Sequence, residues 1–224
     1  MSTASAYDLI GSFQVPAPVM SLDAFRAWAA SSDFPERGKV TYYNGRLIFD
    51  MSPQKYYTHL AVLDAINSSI GVLVRELDLG RYFPDGGWIT HDDAAVSNEP
   101  DAMFVSWKSF ESGRFAMREG DEEDTLEMTG PPDWVCEVLS DSSVEKDTKV
   151  LREAYFKAGI PEYWLIDARG EEIDFKLLVA GAEGYGEAPA TADGWRRSPV
   201  FGREFHLSRD RDRVNRWRYC LSHR

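Results

Sequence analysis

The most informative part of the chain reads PPDWVCEVLSDSSVEKDTKVLREAYFKAGIPEYWLIDARG, residues 131–170. The run WVCEVLS is almost continuously apolar, which is typical of a strand buried on both faces. A helix is predicted over about 144–158, because Gly159 then supplies the usual stop signal. EYWLID follows as a second buried strand. Together with the elements upstream, this order predicts a mixed sheet with a crossover helix.

One residue breaks the apolar pattern of the first of these strands. Strand periodicity puts Glu137 on the same face as Val135 and Leu139, two residues that favour burial. Burying a carboxylate without a compensating partner costs several kcal/mol, so Glu137 needs a cation, a base or several hydrogen-bond donors close by.

A second acid stands at the head of another predicted strand, DAMFV. Asp101 opens this strand, and Pro100 is tolerated just before it. If the two strands are neighbours, Asp101 and Glu137 converge, and such a pair either raises a pKa or binds a metal. Two carboxylates suit Mg²⁺ or Mn²⁺, which keep several water ligands. The alternative is that Glu137 pairs with an arginine or lysine or lines a solvated sheet edge, and the pattern leaves both open.

The N-terminal half of the chain predicts a short helix, a hairpin and a long helix. The helix spans about 22–30. Asn44 and Gly45 stand between two β-prone runs, which is the strongest short-range hairpin signal. Apolar residues at helical spacing over 55–79 predict an amphipathic helix that ends at Gly80.

Composition bounds the class of protein. With 224 residues and 43% hydrophobic residues, the chain is predicted to form a single domain over 1–224 and is not largely disordered. A formal net charge of −12 argues against a non-specific DNA binder, because such proteins neutralise phosphates with Lys and Arg. The segment 196–224 is an exception, with nine arginines against three acids. It could contact phosphates, or pair with acidic surface of its own domain or of a partner subunit.

Nothing in the sequence predicts a membrane or secreted protein. No apolar stretch approaches the roughly 20 residues of a membrane span, and no secretory signal is evident at the start. Cys136 lies in an apolar run and is interpreted as a small buried hydrophobe, not as half of a disulfide. The expected location is therefore the cytoplasm, and no membrane partner is expected.

The segment 131–170 and several upstream motifs resemble the Uma-type restriction endonuclease family, a branch of the PD-(D/E)XK nuclease superfamily. The resemblance covers roughly residues 42–167, and its separate elements become specific when taken together. The matching residues are Asn44-Gly45, Met51-Ser52-Pro53, His59, Glu99-Pro100-Asp101, Glu137, Ser140, Ser142, Asp147, Tyr155, Ala158-Gly159 and Glu162-Tyr163-Trp164. The resemblance implies an α/β, restriction-endonuclease-like fold: a mixed β-sheet flanked by helices, with an N-terminal helix and a β-hairpin.

The same resemblance implies a site. Asp101 and Glu137 would bind Mg²⁺ or Mn²⁺, which activates water for attack on a DNA phosphodiester. A lysine normally completes the superfamily's site, but Leu139 occupies the E-x-K position and Leu151 the relocated position on the helix. Lys149 is the predicted replacement, with Lys146 and Arg152 nearby.

His59 is a candidate base or shaping residue, with a hydrogen-bonded structural histidine as the alternative. The predicted catalytic set is therefore Asp101, Glu137, Lys149 and His59. Asp147 is interpreted as a residue of the helix N-terminus and not as a cation ligand.

The function predicted from these observations is that of a metal-dependent endonuclease acting on DNA, and duplex cleavage makes a homodimer plausible. Two alternatives stay open. One is a binding or assembly protein that kept the fold and lost catalysis, and the other is a metal-dependent hydrolase of a different phosphoester.

Overall fold

The computed structural model describes Val19 and residues 21–35, 38–85, 87–117 and 126–224. Within these ranges the chain forms four α-helices, and π-helical turns at Tyr56–Leu60 and Lys146–Leu151 lead into the second and the fourth. The helices are α1 (Leu22–Ala29), α2 (Ala61–Glu76), α3 (Trp107–Glu111) and α4 (Arg152–Lys157).

The same ranges contain fifteen strands, which form three sheets. In chain order they are β1 (Lys39–Tyr43), β2 (Arg46–Asp50), β3 (Gly80–Phe83), β4 (Trp88–His91), β5 (Val96–Asn98), β6 (Ala102–Ser106), β7 (Ala116–Met117), β8 (Glu127–Thr129), β9 (Trp134–Val138), β10 (Glu162–Asp167), β11 (Asp174–Ala180), β12 (Tyr185–Glu187), β13 (Arg196–Ser198), β14 (Arg203–Arg211) and β15 (Trp217–His223). The N-terminal sheet has the order β2-β1-β5-β4-β8-β7, the central sheet β12-β11-β10-β9-β6-β3 and the C-terminal sheet β13-β14-β15.

The central sheet is mixed, as the sequence predicted. β9 and β10 are parallel and α4 connects them, whereas β6 pairs with β9 in antiparallel orientation. Alternate residues of β9 enter different cores. Trp134 packs in the cluster that contains α2, and Val135 packs in the cluster that contains α4. The central sheet is therefore covered on both faces, which explains why β9 reads as a continuous apolar run.

The hairpin prediction is confirmed. β1 and β2 are antiparallel, and the turn residues Asn44 and Gly45 have φ values of 48° and 76°. Two consecutive positive φ values are those of a type I′ turn, whose twist matches the paired strands. α1 also forms where it was predicted, and the Ser21 hydroxyl accepts a hydrogen bond from the Ala24 amide at 3.1 Å.

The long second helix differs from its prediction at both ends. It begins with the π turn, and α2 ends at Glu76, four residues before Gly80. Gly80 instead opens β3, where a side chain would lie 2.0 Å from the Val105 carbonyl oxygen. Residues 80–83 and 88–91 then form two strands, β3 and β4, which belong to different sheets.

The run Tyr56–Glu76 is long and apolar enough to cross a bilayer by length and composition. This helix differs from the expectation that no apolar stretch approaches 20 residues. Half of its most apolar stretch is buried within the protein, where Ile66 and Ile70 belong to the same core cluster as Trp164. One buried face is typical of the core helix of a globular protein. The absence of a membrane span stays a prediction.

The basic segment 196–224 is structured, which the sequence analysis did not predict. It forms the C-terminal sheet, and β15 packs against α2. Phe205, Leu207, Tyr219 and Leu221 are buried in the core cluster of α2 and the central sheet. Cys136 is likewise buried as a free cysteine, as expected.

Candidate active site

Strand pairing brings the two predicted carboxylates together. Ala102 of β6 lies opposite Cys136 of β9, so Asp101, one residue before β6, lies opposite Glu137. Residues directly opposite each other on an antiparallel pair share a face, with Cβ atoms about 5 Å apart. Both side chains are buried, and both line one cleft of about 320 Å³.

Asp101 accepts three hydrogen bonds, two of them from basic side chains. The Lys39 ammonium lies 2.7 Å from Oδ1, and the Val138 amide donates to Oδ2 over 2.8 Å. His59 Nε2 lies 3.3 Å from the same Oδ2. Burial opposes ionisation here, but the charge of Lys39 and the hydrogen bond from His59 outweigh it. The pKa of Asp101 is therefore well below its ordinary value.

Glu137 has neutral hydrogen-bond partners. The Tyr155 hydroxyl donates to Oε1 over 2.6 Å and the Asn98 amide over 3.3 Å. Thr41 in turn hydrogen-bonds to Asn98 behind them. Burial, together with the nearby charge of Asp101, raises the pKa of Glu137 to about 8, although Lys146 acts in the opposite direction. The pKa values of Glu137 and Asp101 are thus shifted in opposite directions.

Two lysines enter the cleft from separate elements. Lys39 opens β1 and reaches Asp101, whereas Lys146 begins the second π turn and lies 3.0 Å from Asp147 Oδ1. Burial would lower the pKa of each ammonium, but the surrounding carboxylates outweigh burial and raise both pKa values. Both lysines are therefore charged, and the cleft holds two cations beside its acids.

Lys149, the lysine predicted to complete the site, does not reach the cleft. Its side chain is 75% exposed and lies 3.8 Å from Glu145 on the outer face of the helix. Lys146 takes the inner position, with only 6% of its side chain exposed. A π turn places residues five apart one above the other, so Lys146 lies on the face of Leu151, where the family's relocated lysine was expected. The prediction relied on the long side chain of Lys149 to reach the site, whereas the structure places Lys146, and not Lys149, among the residues that line the cleft.

The first π turn positions His59. This residue lines the cleft, and its contact with Asp101 holds that carboxylate in place. The contact agrees with both earlier interpretations, a shaping residue of the site and a hydrogen-bonded histidine.

Two distant motifs meet at the cleft rim. Asp50 Oδ1 accepts hydrogen bonds from the hydroxyls of Ser52, at 2.6 Å, and Ser142, at 2.8 Å. The serine-rich turn after β9 is thereby joined to the end of the hairpin.

Asp50, Lys39 and Asn98 were not predicted as site residues, since none of them interrupts a local apolar pattern. Tyr155 was expected only to pack, yet its hydroxyl holds Glu137.

The donor chemistry fits a hard divalent cation. No group of three or more His, Cys, Asp or Glu side chains is placed to hold a metal within the part of the chain that the structure describes. Mg²⁺ needs no such group, because one or two carboxylates plus waters suffice for it. Asp101 and Glu137 provide these carboxylates, and both hydrogen bonds that described residues donate to Glu137 end on Oε1. Oε2 of Glu137 accepts neither of these two hydrogen bonds, and Glu137 lines the cleft.

The model of the Uma2 family, described as "Putative restriction endonuclease", matches residues 22–210. This chain belongs to the Uma2 family. The match extends well beyond the 42–167 core identified from the motifs, through the N-terminal sheet and into β14. The predicted family is confirmed.

A crystal structure of a "putative nuclease belonging to DUF820" from Anabaena variabilis ATCC 29413 is similar to this Uma2 protein. The two are 22% identical with a TM-score of 0.61, and the similarity covers 81% of this chain and 90% of the other. At this identity the likeness shows the fold, so the predicted restriction-endonuclease-like α/β class is confirmed. The curated proteins contain no match to this chain.

Proposed function

We propose that this Uma2 protein is a nuclease that hydrolyses DNA phosphodiester bonds with Mg²⁺ or Mn²⁺ held by Asp101 and Glu137. The supporting observation is the convergence of these two buried carboxylates with Lys39 and Lys146 in one cleft. An oxygen pair for a hard cation, next to two ammonium groups, suits a reaction that develops negative charge on phosphate oxygens.

The bound ion would supply Lewis-acid stabilisation of the phosphoryl oxygens and a more acidic water ligand. The two carboxyl groups differ in their ionisation before a cation binds. Asp101 is already ionised, with Lys39 on Oδ1. The raised pKa of Glu137 favours its protonated form, which would lose its proton on binding a cation, since a ligand must be deprotonated. Tyr155 and Asn98 hold its Oε1 throughout.

Lys146 is the proposed counterpart of the missing E-x-K lysine. Its ammonium is buried beside Asp147 and lines the same cleft as Glu137. A charged donor at this position orients the attacking water and stabilises the negative charge that develops in the transition state. Lys39 compensates the charge of Asp101 from β1 of the N-terminal sheet.

The test is nicking of supercoiled plasmid in the presence of Mg²⁺ or Mn²⁺. Asp101→Asn and Glu137→Gln should each reduce the rate about 100-fold or more, because loss of a carboxylate ligand removes several kcal/mol of transition-state stabilisation. Glu145→Gln, on the exposed side of the neighbouring helix, should leave the rate unchanged.

The outcome also separates the two alternatives. A wild-type protein that cleaves a small phosphodiester such as bis-p-nitrophenyl phosphate but not plasmid would be a hydrolase of another phosphoester. A protein that cleaves neither, with or without the metals, would be an inactive scaffold.

A further inference from the structure

Arginine and aromatic side chains form an exposed surface next to the cleft. Its members are Tyr56 and Tyr57 of the first π turn and Arg211, Arg216 and Trp217 at the tip of the β14–β15 hairpin; we refer to them as the arginine–aromatic surface. The Arg211 guanidinium lies 3.4 Å from the centroid of the Trp217 ring, and that of Arg216 lies 5.8 Å from the Tyr57 ring. Tyr56 is 77% exposed and Tyr57 45% exposed.

The arginine charges of this surface are only partly balanced among the described residues, because Asp212 feels the charge of Arg216 but forms no salt bridge with it. In the segment 196–224, Arg196 pairs with Glu187, and Arg224 pairs with Glu204 and Asp193. Arg211 and Arg216 form no salt bridge with any carboxylate among the residues that the structure describes. In a chain of net charge −12, two arginines without a salt bridge to a described residue, one on the partly buried Trp217 ring and one on the exposed Tyr57 ring, indicate a surface for an anionic partner.

The hairpin tip is held rigidly in this conformation. Asp212 Oδ1 accepts hydrogen bonds from the amides of Val214, at 2.9 Å, and Arg216, at 2.8 Å, which close the turn. Arg209 lies 4.0 Å from the Trp217 ring centroid and donates to the Gly170 carbonyl over 2.9 Å. The arginines are thus positioned before any partner binds, which lowers the entropy cost of binding.

The first π turn connects this surface to the cleft. His59 faces Asp101 inside the cleft, Gln54 also lines it, and Tyr57 lies under Arg216 on the outside. Since these residues belong to one turn and its lead-in, cleft and surface are separated by about one helix diameter, roughly 10 Å. Duplex DNA carries a phosphate charge about every 1.7 Å along its axis, so a duplex that runs from the cleft toward this surface carries further phosphates within this distance.

We infer that the arginine–aromatic surface binds the DNA backbone beside the phosphodiester that enters the cleft. The inference rests on the proposed function for the identity of the partner. Arg211 and Arg216 contact phosphates through their guanidinium forks, and the exposed tyrosine rings pack on sugars or unstacked bases. Binding at this surface also explains how an acidic protein holds DNA, because the charged contacts with phosphates are confined to one basic hairpin.

The test is binding of a fluorescein-labelled 30-base-pair duplex by fluorescence anisotropy, in EDTA, over a range of salt concentrations. Loss of two phosphate contacts in the double variant Arg211→Gln/Arg216→Gln should reduce the slope of log K against log salt by about two. Affinity at low salt should fall at least about tenfold. Arg218→Gln, on the opposite face of the same hairpin, is the control and should bind like the wild type.

The binding assay needs no cleavage, so its failure is distinct from failure of the proposed function. If the protein binds DNA through these arginines but never nicks plasmid, the result supports the binding surface and contradicts the proposed nuclease activity. Nicking by a protein whose double variant binds with unchanged slope and affinity overturns the surface. Absence of binding by the wild type overturns it as well. Thermal unfolding of the double variant at the wild-type temperature shows that the fold is intact.

Discussion

The two carboxylates of the cleft differ in a way that only their neighbours explain. Asp101 has a lysine, a histidine and an amide as partners and a lowered pKa, whereas Glu137 has a tyrosine and an asparagine as partners and a raised pKa. Two acids in one site whose pKa values are pushed apart are typical of functional sites. Lys146 is the residue whose charge most directly favours ionisation of Glu137.

Lys146→Met should therefore impair catalysis far more than Lys149→Met. Removing the buried ammonium leaves Asp147 and Glu137 without their cation, and loss of one preorganised charged donor costs about 100-fold or more in rate. Lys149 is exposed on the same helix and serves as the matched control, with an unchanged rate. Plasmid nicking measures both. Equal rates for the two variants would contradict the assignment of Lys146, provided that circular dichroism shows both to be folded.

At the scale of elements, a buried acid joins the C-terminal sheet to the central one. Glu162 at the start of β10 accepts hydrogen bonds from the Ser198 hydroxyl at 2.7 Å, the Val200 amide at 3.2 Å and the Trp164 indole at 2.6 Å. No arginine or lysine is among these partners. Burial raises the pKa of Glu162 to about 7, although the three hydrogen bonds oppose it.

Glu162 should make the fold less stable as pH rises. Its ordinary pKa is 4.5, so between pH 4.5 and 7 the folded protein holds a proton that the unfolded chain has released. The stabilisation is complete below pH 4.5 and is lost as pH rises through 7, a change on the order of 3 kcal/mol in the free energy of unfolding.

Urea unfolding of the wild type and of Glu162→Gln at pH 5 and pH 8 measures this loss of stability. The loss of stability should be smaller in the variant, while Glu183→Gln, an exposed change, should retain the full loss. An identical loss in wild type and Glu162→Gln would contradict this role.

At the scale of the molecule, the cation site and the fold should be linked. Asp101 and Glu137 come from segments that meet only in the folded chain, so a cation that binds them favours folding. Mn²⁺ at about 100 times its dissociation constant should raise the free energy of unfolding by about 2.7 kcal/mol. Differential scanning fluorimetry measures this as a higher melting temperature, reversed by EDTA. Glu137→Gln should show no shift, and a wild-type protein without a shift would contradict the cation site.

Much of this architecture was predictable from local patterns. Asn44 and Gly45 specify their turn because both need positive φ, and the apolar run around Glu137 specifies a buried strand. An acid in that run stood out because its desolvation needs a local cause. Each of these signals is contained in a few consecutive residues. The sequence by itself therefore determined the family, the main elements and the two carboxylates.

The rest of the site depends on contacts between residues far apart in the chain. Lys39 meets Asp101 across 62 positions, and Asn98 meets Tyr155 across 57. The position of Lys146, and not Lys149, in the cleft depends on a π turn, which no local sequence pattern predicted. The proximity of Arg216 to Tyr57 depends on how β15 packs against α2. Tertiary structure alone decided which cations face the acids and where the basic segment lies, because these pairings follow from packing and register, which local propensity does not specify.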